Sequence, residues 1–488
     1  MLSASLALLL ALSDSPVPVP EPGAAAGATA SKSAVPSAPA TEAADTTLAP
    51  MADVVSGTAA QRGDGSPVVN HALAAAQGGR AQPPQGLRFV WRDHPSLRAG
   101  NWMRLDFGVK LQGTVANAGD DPADYDDTQL SRARAGVDGE LFRVVQFSIE
   151  RDFTSSSLSE DKVNSKSKKT PWRDVYAELN LSNAFQIRGG RFKIPFSLDQ
   201  LTGVSNNDFI SRSLGGIYLA PARDTGGMVH GRFFGRGLNY DVGLFAHDGD
   251  NARSRKVAGG DTTFAVRVSG TPLKSVKALN LDRAELGGNF STTDVSDSSE
   301  LPNGLRGRTV VSQYTFFEPV FVRGTRNRYG ADFEWTMRSM GARAEYIAVT
   351  DAREEQGLRG NDLNAARARS YYVQGTWVVT GDRKNRPVEP REPLFFGGAG
   401  AIELAARYER LWFDSKDTGE PAFSNSRAEV ILPNGDTVLT LGVNWYVNRW
   451  VKLQLNGVHE ELQDAGRTPM TDGTTKWWSL VFAAQLVL

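Results

Sequence analysis

The chain has 488 residues, a formal net charge of −1 and no cysteine. That balance gives no field to draw nucleic acid or another highly charged partner, and the absence of thiols excludes disulfides, thiolate metal sites and cysteine nucleophiles. Hydrophobic residues make up 40%, and no apolar run approaches the ~20 residues of a spanning helix; this excludes a helical membrane protein but not a strand-built one, where only alternate residues meet lipid.

Residues 1–13, MLSASLALLLALS, hold an apolar core from Leu6 to Leu12. It resembles the middle of a secretory signal, although the usual basic residue at its start is missing. Residues 14–84 are rich in Ala, Pro, Gly, Ser and Thr and show neither helix nor strand period. Such a segment cannot bury enough apolar area to offset its ordering entropy. It is expected to be a disordered linker, with a periplasmic tether or partner-binding arm as the functional alternative. Residues 85–101 form a lead-in.

From Trp102 onward, apolar and polar residues alternate in short segments. In 102–115, Met103, Leu105, Phe107, Val109 and Leu111 oppose Arg104, Asp106, Lys110 and Gln112. In 130–141, Ala133, Ala135, Val137 and Leu141 oppose Arg132, Arg134, Asp138 and Glu140. The pattern continues at 143–153, 173–181, 185–193, 227–235, 238–247, 262–270, 284–292, 328–336, 341–351, 370–380, 400–412, 437–447, 450–461 and 475–488. The last of these, TKWWSLVFAAQLVL, runs to the C-terminus with no trailing polar residue, as the closing strand of an outer-membrane barrel would. The segments number sixteen, and an even count is what a single-chain bacterial barrel requires.

Short connections (Ser182–Ala184, Gly235–Arg236, Asn448–Arg449) are expected on the periplasmic side. Long polar ones (116–129, 154–171, 248–261, 293–327, 462–474) are expected outside. The stretch 381–399 breaks the pattern: its parity is periplasmic, yet it is long. Trp172, Trp445, Trp450, Trp477 and Trp478 lie near segment ends, where an aromatic girdle would sit. A β-propeller or large sandwich would show blade-length repeats, and none is visible.

Several stretches resemble the phosphate-selective porin O and P family. They are GRFKIPFSLDQLTG (190–203), FISRSL (209–214), DTGGMVHGRF (224–233), DVGLFAHDGDN (241–251), YYVQGTWVVTGD (371–382), AIELAARYERL (401–411) and LGVNWYVNRWVKLQLNGVH (441–459). The resemblance covers about residues 100–488. It implies an all-β, sixteen-stranded antiparallel transmembrane β-barrel, commonly a homotrimer, with basic residues lining the lumen and a third loop folded inward. Here that loop is about 194–226. The residues agree with this: the connection is long and rich in Gly, Ser and Asn, and Pro195 ends the preceding strand.

Permeation needs a charged constriction rather than a catalytic constellation, and no cofactor. The candidate anion-selecting residues are Lys110, Arg132, Arg134, Arg188, Arg191, Lys193, Arg212, Arg223, Arg267 and Arg328. Arg104, Arg343, Arg407 and Lys452 are further lumen-facing bases. The lumen-facing acids Asp106, Asp138, Glu140, Asp174, Glu178, Asp332, Glu334, Glu345, Glu403 and Glu409 are about as numerous. They leave open that the charges simply pair and set no selectivity. Arginine suits phosphate because its fork binds two oxygens.

The acidic run AGDDPADYDD (118–127) falls in an external loop; it reads as a solvated loop or a holder of divalent cations bridging lipopolysaccharide. DGDN (248–251) lacks the later ligands of a calcium loop and reads as a turn. The histidines His71, His94, His230, His247 and His459 sit in no nucleophile motif, which argues against a hydrolase. The expectation is an outer-membrane porin passing small anions, phosphate among them, surrounded by outer-membrane lipid and lipopolysaccharide. The alternatives are a non-selective porin and a barrel that anchors the N-terminal tail.

Overall fold

In a computed structural model, residues 86–91, 94–117, 126–154, 170–235, 237–251, 262–295, 302–357, 359–416, 431–463 and 474–488 are described. The readings of 1–84 and of most of the acidic run 118–127 lie outside them.

The chain forms a closed barrel of sixteen antiparallel strands. In order these are β3 (Met103–Asn117), β4 (Asp126–Leu141), β5 (Val145–Asp152), β6 (Trp172–Ser182), β7 (Phe185–Lys193), β8 (Arg223–Phe233), β9 (Leu238–Phe245), β10 (Thr263–Gly270) and β11 (Glu285–Val295). They continue with β14 (Gly324–Met337), β15 (Met340–Arg353), β16 (Leu363–Val378), β17 (Ala401–Asp414), β18 (Asn434–Tyr446), β19 (Val451–Leu462) and β20 (Lys476–Val487). Each pairs with its sequence neighbour, and β20 closes on β3 with Phe482 opposite Val115 and Val487 opposite Lys110. Closure leaves no barrel edge unpaired, which lipid demands because it offers backbone groups no partner.

Two further strands precede the barrel. β1 (Leu87–Trp91) and β2 (Pro95–Ala99) form a hairpin, and β2 pairs with the start of β3 below the point where β20 ends. A small pair, β12 (Gly307–Arg308) and β13 (Thr315–Phe317), lies within the fifth loop.

Alternation produces the outer wall. Val109, Leu111, Ile149, Val175, Ile187, Val242, Leu244, Val373, Leu404, Leu441, Leu455, Leu480 and Phe482 are all exposed on the outside. Their cross-strand rows match, for example Val373 opposite Tyr408 and Leu455 opposite Phe482. Trp477 departs from the girdle expectation. It is 2% exposed and turned inward against Val438, Val458 and Val481, while Trp478 faces out. Neighbours on a strand point to opposite faces, so only one of the two can reach lipid.

The short connections fall at one end, and 379–400 lies at that same end between β16 and β17. Its periplasmic parity therefore holds despite its length. The third loop spans 194–222, four residues shorter than expected, because β8 begins at Arg223.

Candidate functional site: the lumen and its third loop

The third loop leaves the wall at Pro195 and crosses the barrel. Two short helices, Leu198–Leu201 and Leu214–Tyr218, are capped by Ser197 and Ser213, whose hydroxyls accept from Gln200 N and Gly216 N. Its apolar side chains Ile194, Phe196, Ile210, Leu214 and Leu219 are fully buried. They pack with Val310, Val311 and Phe316 of the fifth loop and with inward Ile347, Val438 and Val458. The lumen on this side is therefore filled by protein rather than by water alone.

Polar contacts fix the loop to the strands from β15 to β19. Glu345 accepts from the Leu198 and Asp199 N–H groups at 2.8 and 3.2 Å, and Glu409 from Leu214 N–H at 2.6 Å. Asn456 accepts from Ile210 N–H at 2.9 Å. Asn444 donates to Asp208 O, Lys452 to Ser205 O and Asn207 O, and Arg407 to Ser211 O and Arg212 O. A buried loop must have its backbone groups satisfied, and here the inner wall supplies the partners.

The periplasmic segment 379–400 adds a clasp. Lys384 Nζ donates to the carboxylates of Asp208 in the loop and Glu403 on β17, all three almost fully buried. Burial alone would lower the Lys384 pKa, but the two carboxylates outweigh it and hold it above the ordinary value. Arg386 pairs with Glu334.

The candidate bases gather mostly on the other side of the lumen. Lys110 pairs with Glu150 at 2.7 Å, and Arg134 with Asp152 at 2.8 Å and Glu150 at 3.8 Å. Arg132 donates to Gln112 Oε1. Arg223 grips Asp174 with two nitrogens at 3.2 and 2.8 Å. Arg212, from the loop, donates to Thr202 O at 2.7 Å and lies 3.8 Å from Asp199. Arg132, Arg223 and Arg343 are the like charges that bear on it, so the loop and three strands bring guanidinia together. Lys193 donates to Gln200 O and Leu201 O at 2.6 and 3.2 Å, at the C-terminal end of the first loop helix, with Arg223 and Arg212 as its neighbouring charges.

Three other candidates sit apart from this group. Arg188 pairs with Glu178 at 2.6 Å, with its guanidinium 4.4 Å above the Tyr176 ring. Arg267 pairs with Asp332 at 2.8 Å. Arg328 holds Asp248 at 2.7 Å and Leu219 O at 2.8 Å. Arg191 departs from the pore-lining expectation. Its register row, opposite exposed Val175 and Thr225, belongs to the outer face, and its guanidinium reaches Trp172 O and the Asp250 carboxylate at the rim. Since Arg188 points inward, period two already places Arg191 outward.

Arg173, Arg326, Lys384 and Arg386 were not among the sequence candidates. Arg326 lies two residues before the expected strand start at 328, because β14 extends up to Gly324. Arg173, 3.5 Å from Asp152, has the outward parity of Val175 and lies where the β5–β6 register shifts between Ile149 and Arg151, so strict alternation does not place it. Lys384 lies in the long periplasmic stretch, and that length was the one signal available.

These contacts join five bases (Lys110, Arg134, Arg173, Arg212, Arg223) to four acids (Glu150, Asp152, Asp174, Asp199), and Arg132 and Lys193 donate to the Gln112 side chain and to the Gln200 and Leu201 carbonyls.

A closed sixteen-stranded barrel with a lipid-facing outer wall, a charged lumen and an inward loop defines an outer-membrane porin. The sequence profile of the phosphate-selective porin O and P family matches residues 100–483, and the chain belongs to that family. No curated protein matches it in sequence. Among solved structures it is similar to OmpT, an outer membrane protein of Vibrio cholerae in its trimer form, at 12% identity over 80% of this chain and 100% of that one, TM-score 0.49. It is also similar to Salmonella typhi OmpF in complex with daunomycin (9% identity, 79% and 98%, TM-score 0.47) and to Pseudomonas putida OprB (12% identity, 79% and 94%, TM-score 0.45). The protein resides in the bacterial outer membrane.

Proposed function

We propose that this porin selects small anions, phosphate among them, at the constriction between its third loop and the opposite wall, and that it works as a homotrimer. The observation that carries the reading is the gathering of guanidinia about the third loop, where Arg132, Arg223 and Arg343 are the like charges that bear on Arg212. A cluster of guanidinia in a low-dielectric channel concentrates anions, and each fork presents paired donors to a phosphate. The trimer follows the family resemblance and the trimer form named for the Vibrio cholerae protein.

The non-selective alternative has its own support. Arg134, Arg188, Arg223 and Arg267 each have a carboxylate partner within 3.0 Å, and paired charges set a weaker field. In planar bilayers under a salt gradient, the reversal potential is expected to show anion preference, with added phosphate reducing chloride current. Arg132→Gln with Arg212→Gln should move that potential toward zero. A cation preference, or a potential unchanged by the double variant, would return the reading to a general porin.

A further inference from the structure

The outer wall carries a cluster that permeation does not use. On the lipid-facing rows of β16 and β17, apolar pairs give way toward the extracellular end: Trp377 opposite Leu404, Gly375 opposite Ala406, Val373 opposite Tyr408, then Tyr371 opposite Arg410, Arg369 opposite Trp412 and Arg367 opposite Asp414. Three arginines therefore stand on the outward face within two turns of the pleat. One carboxylate serves two of them: Asp414 lies 2.8 Å from Arg367 and 3.0 Å from Arg369. Arg410 donates to Gln463 at 3.1 Å and lies 5.6 Å from the Trp412 ring. Tyr371 packs edge-on to Trp412 at 6.0 Å.

We infer that this patch binds the phosphorylated glucosamine headgroup of an outer-leaflet glycolipid. The depth points to it. The aromatic rows that bracket a barrel's apolar band lie at the headgroup level, and the Tyr371, Tyr408 and Trp412 row is the extracellular one, opposite the periplasmic row of Trp335 and Trp377. A cation on the lipid-facing side is costly unless an anion meets it, and the cluster holds a net surplus of two positive charges, three arginines less Asp414. Guanidinium forks match phosphate oxygens in pairs. The flat faces of Tyr371 and Trp412 suit the carbon face of a sugar ring. Elsewhere on this rim, Arg151 lies against Phe153 and Trp172, and the neighbouring outward arginine, Arg191, is already tied to Trp172 O and the Asp250 carboxylate, so no such cluster of outward guanidinia forms there.

The test uses the full chain in detergent, titrated with bisphosphorylated lipid A, with the same lipid A after removal of its phosphates, and with inorganic phosphate as competitor, read by native mass spectrometry. Each arginine near an anionic lipid surface contributes roughly fivefold in binding, so the Arg367→Gln, Arg369→Gln, Arg410→Gln triple variant is expected to lose on the order of a hundredfold. Arg151→Gln should lose little. The corresponding triple lysine variant should keep most of the affinity, and dephosphorylated lipid A should bind the native protein as weakly as bisphosphorylated lipid A binds the glutamine variant. Conductance should be unchanged in all of them.

Equal binding by the glutamine variant, or equal binding of the two lipid A forms, overturns the site. Displacement by millimolar inorganic phosphate assigns the patch to free phosphate instead. Loss of the oligomer with lipid A retention intact assigns it to contact between copies of this chain. Should the glutamine variant fail to fold, the comparison of the two lipid A forms on the native and lysine proteins decides alone.

Discussion

Asp248 shows how one residue ties an outer loop to the lumen. It sits in the DGDN stretch read as a turn, and a turn it is. Gly249 adopts φ +81, and a Cβ there would lie 1.9 Å from Pro221 O, so glycine is required where this turn meets the end of the third loop. The turn also holds a buried charge. Arg326 Nη1 contacts Asp248 at 2.6 Å, and Arg328 binds it with both terminal nitrogens. Burial alone would raise the Asp248 carboxyl; Arg328 and Arg326 overcome this and hold it at about 2. A pKa lowered on folding stabilises above the unfolded value, ~4, and the benefit is lost as pH falls toward 2. The stability difference between the native protein and Asp248→Asn should therefore be about 2 kcal/mol at neutral pH and shrink between about pH 4 and pH 2. Thermal unfolding across that range checks it; a difference that stays constant with pH would detach the effect from this carboxylate.

At the scale of elements, the third loop is held by a partner that comes from the opposite face of the membrane. Lys384 rises from the periplasmic segment to Asp208, and Glu403 completes the triad. Removing one member leaves a buried charge unpaired, which costs about 3–5 kcal/mol. Lys384→Ala should therefore lower thermal stability and free the loop tip. Single-channel recordings should show a larger and noisier conductance, since a loop released at Asp208 no longer holds one position. An unchanged conductance with lowered stability would make the clasp a purely structural device. The loop itself was legible: Pro195, the glycines and the serines mark where the strand stops and turns begin. Its seat was not. Glu345, Glu409 and Lys452 read as lumen-facing charges, and nothing in their spacing says that their partners are backbone groups of one distant segment.

For the whole molecule, the outward rows decide where the barrel can reside. Leu480, 52% exposed on the closing strand, faces Gly457 on one side and Asn117 on the other. Leu480→Arg places a cation on the lipid face and is expected to cost about 2–4 kcal/mol if the site is near the midplane, less toward the interface. Urea titration of the protein folded in vesicles measures it. No loss there would mean that this face is covered by protein, as in a subunit contact.

The number and approximate position of the sixteen barrel strands and the choice of outer face were readable along the chain, whereas the β1–β2 hairpin in the lead-in and the β12–β13 pair in the fifth loop were not. Alternation is a local property: each residue's side follows from its neighbour's, and lipid rejects the wrong choice. The same rule would have turned Arg191 outward and separated Trp477 from Trp478. What tertiary structure alone decided was which charges meet. Asp208 and Lys384 are separated by 176 positions, and the residues between them cross the barrel wall many times. Charge pairing across a lumen depends on where a loop folds back to, and that is set by the fit of Ile210, Leu214 and Leu219 against the far wall rather than by any period in the chain.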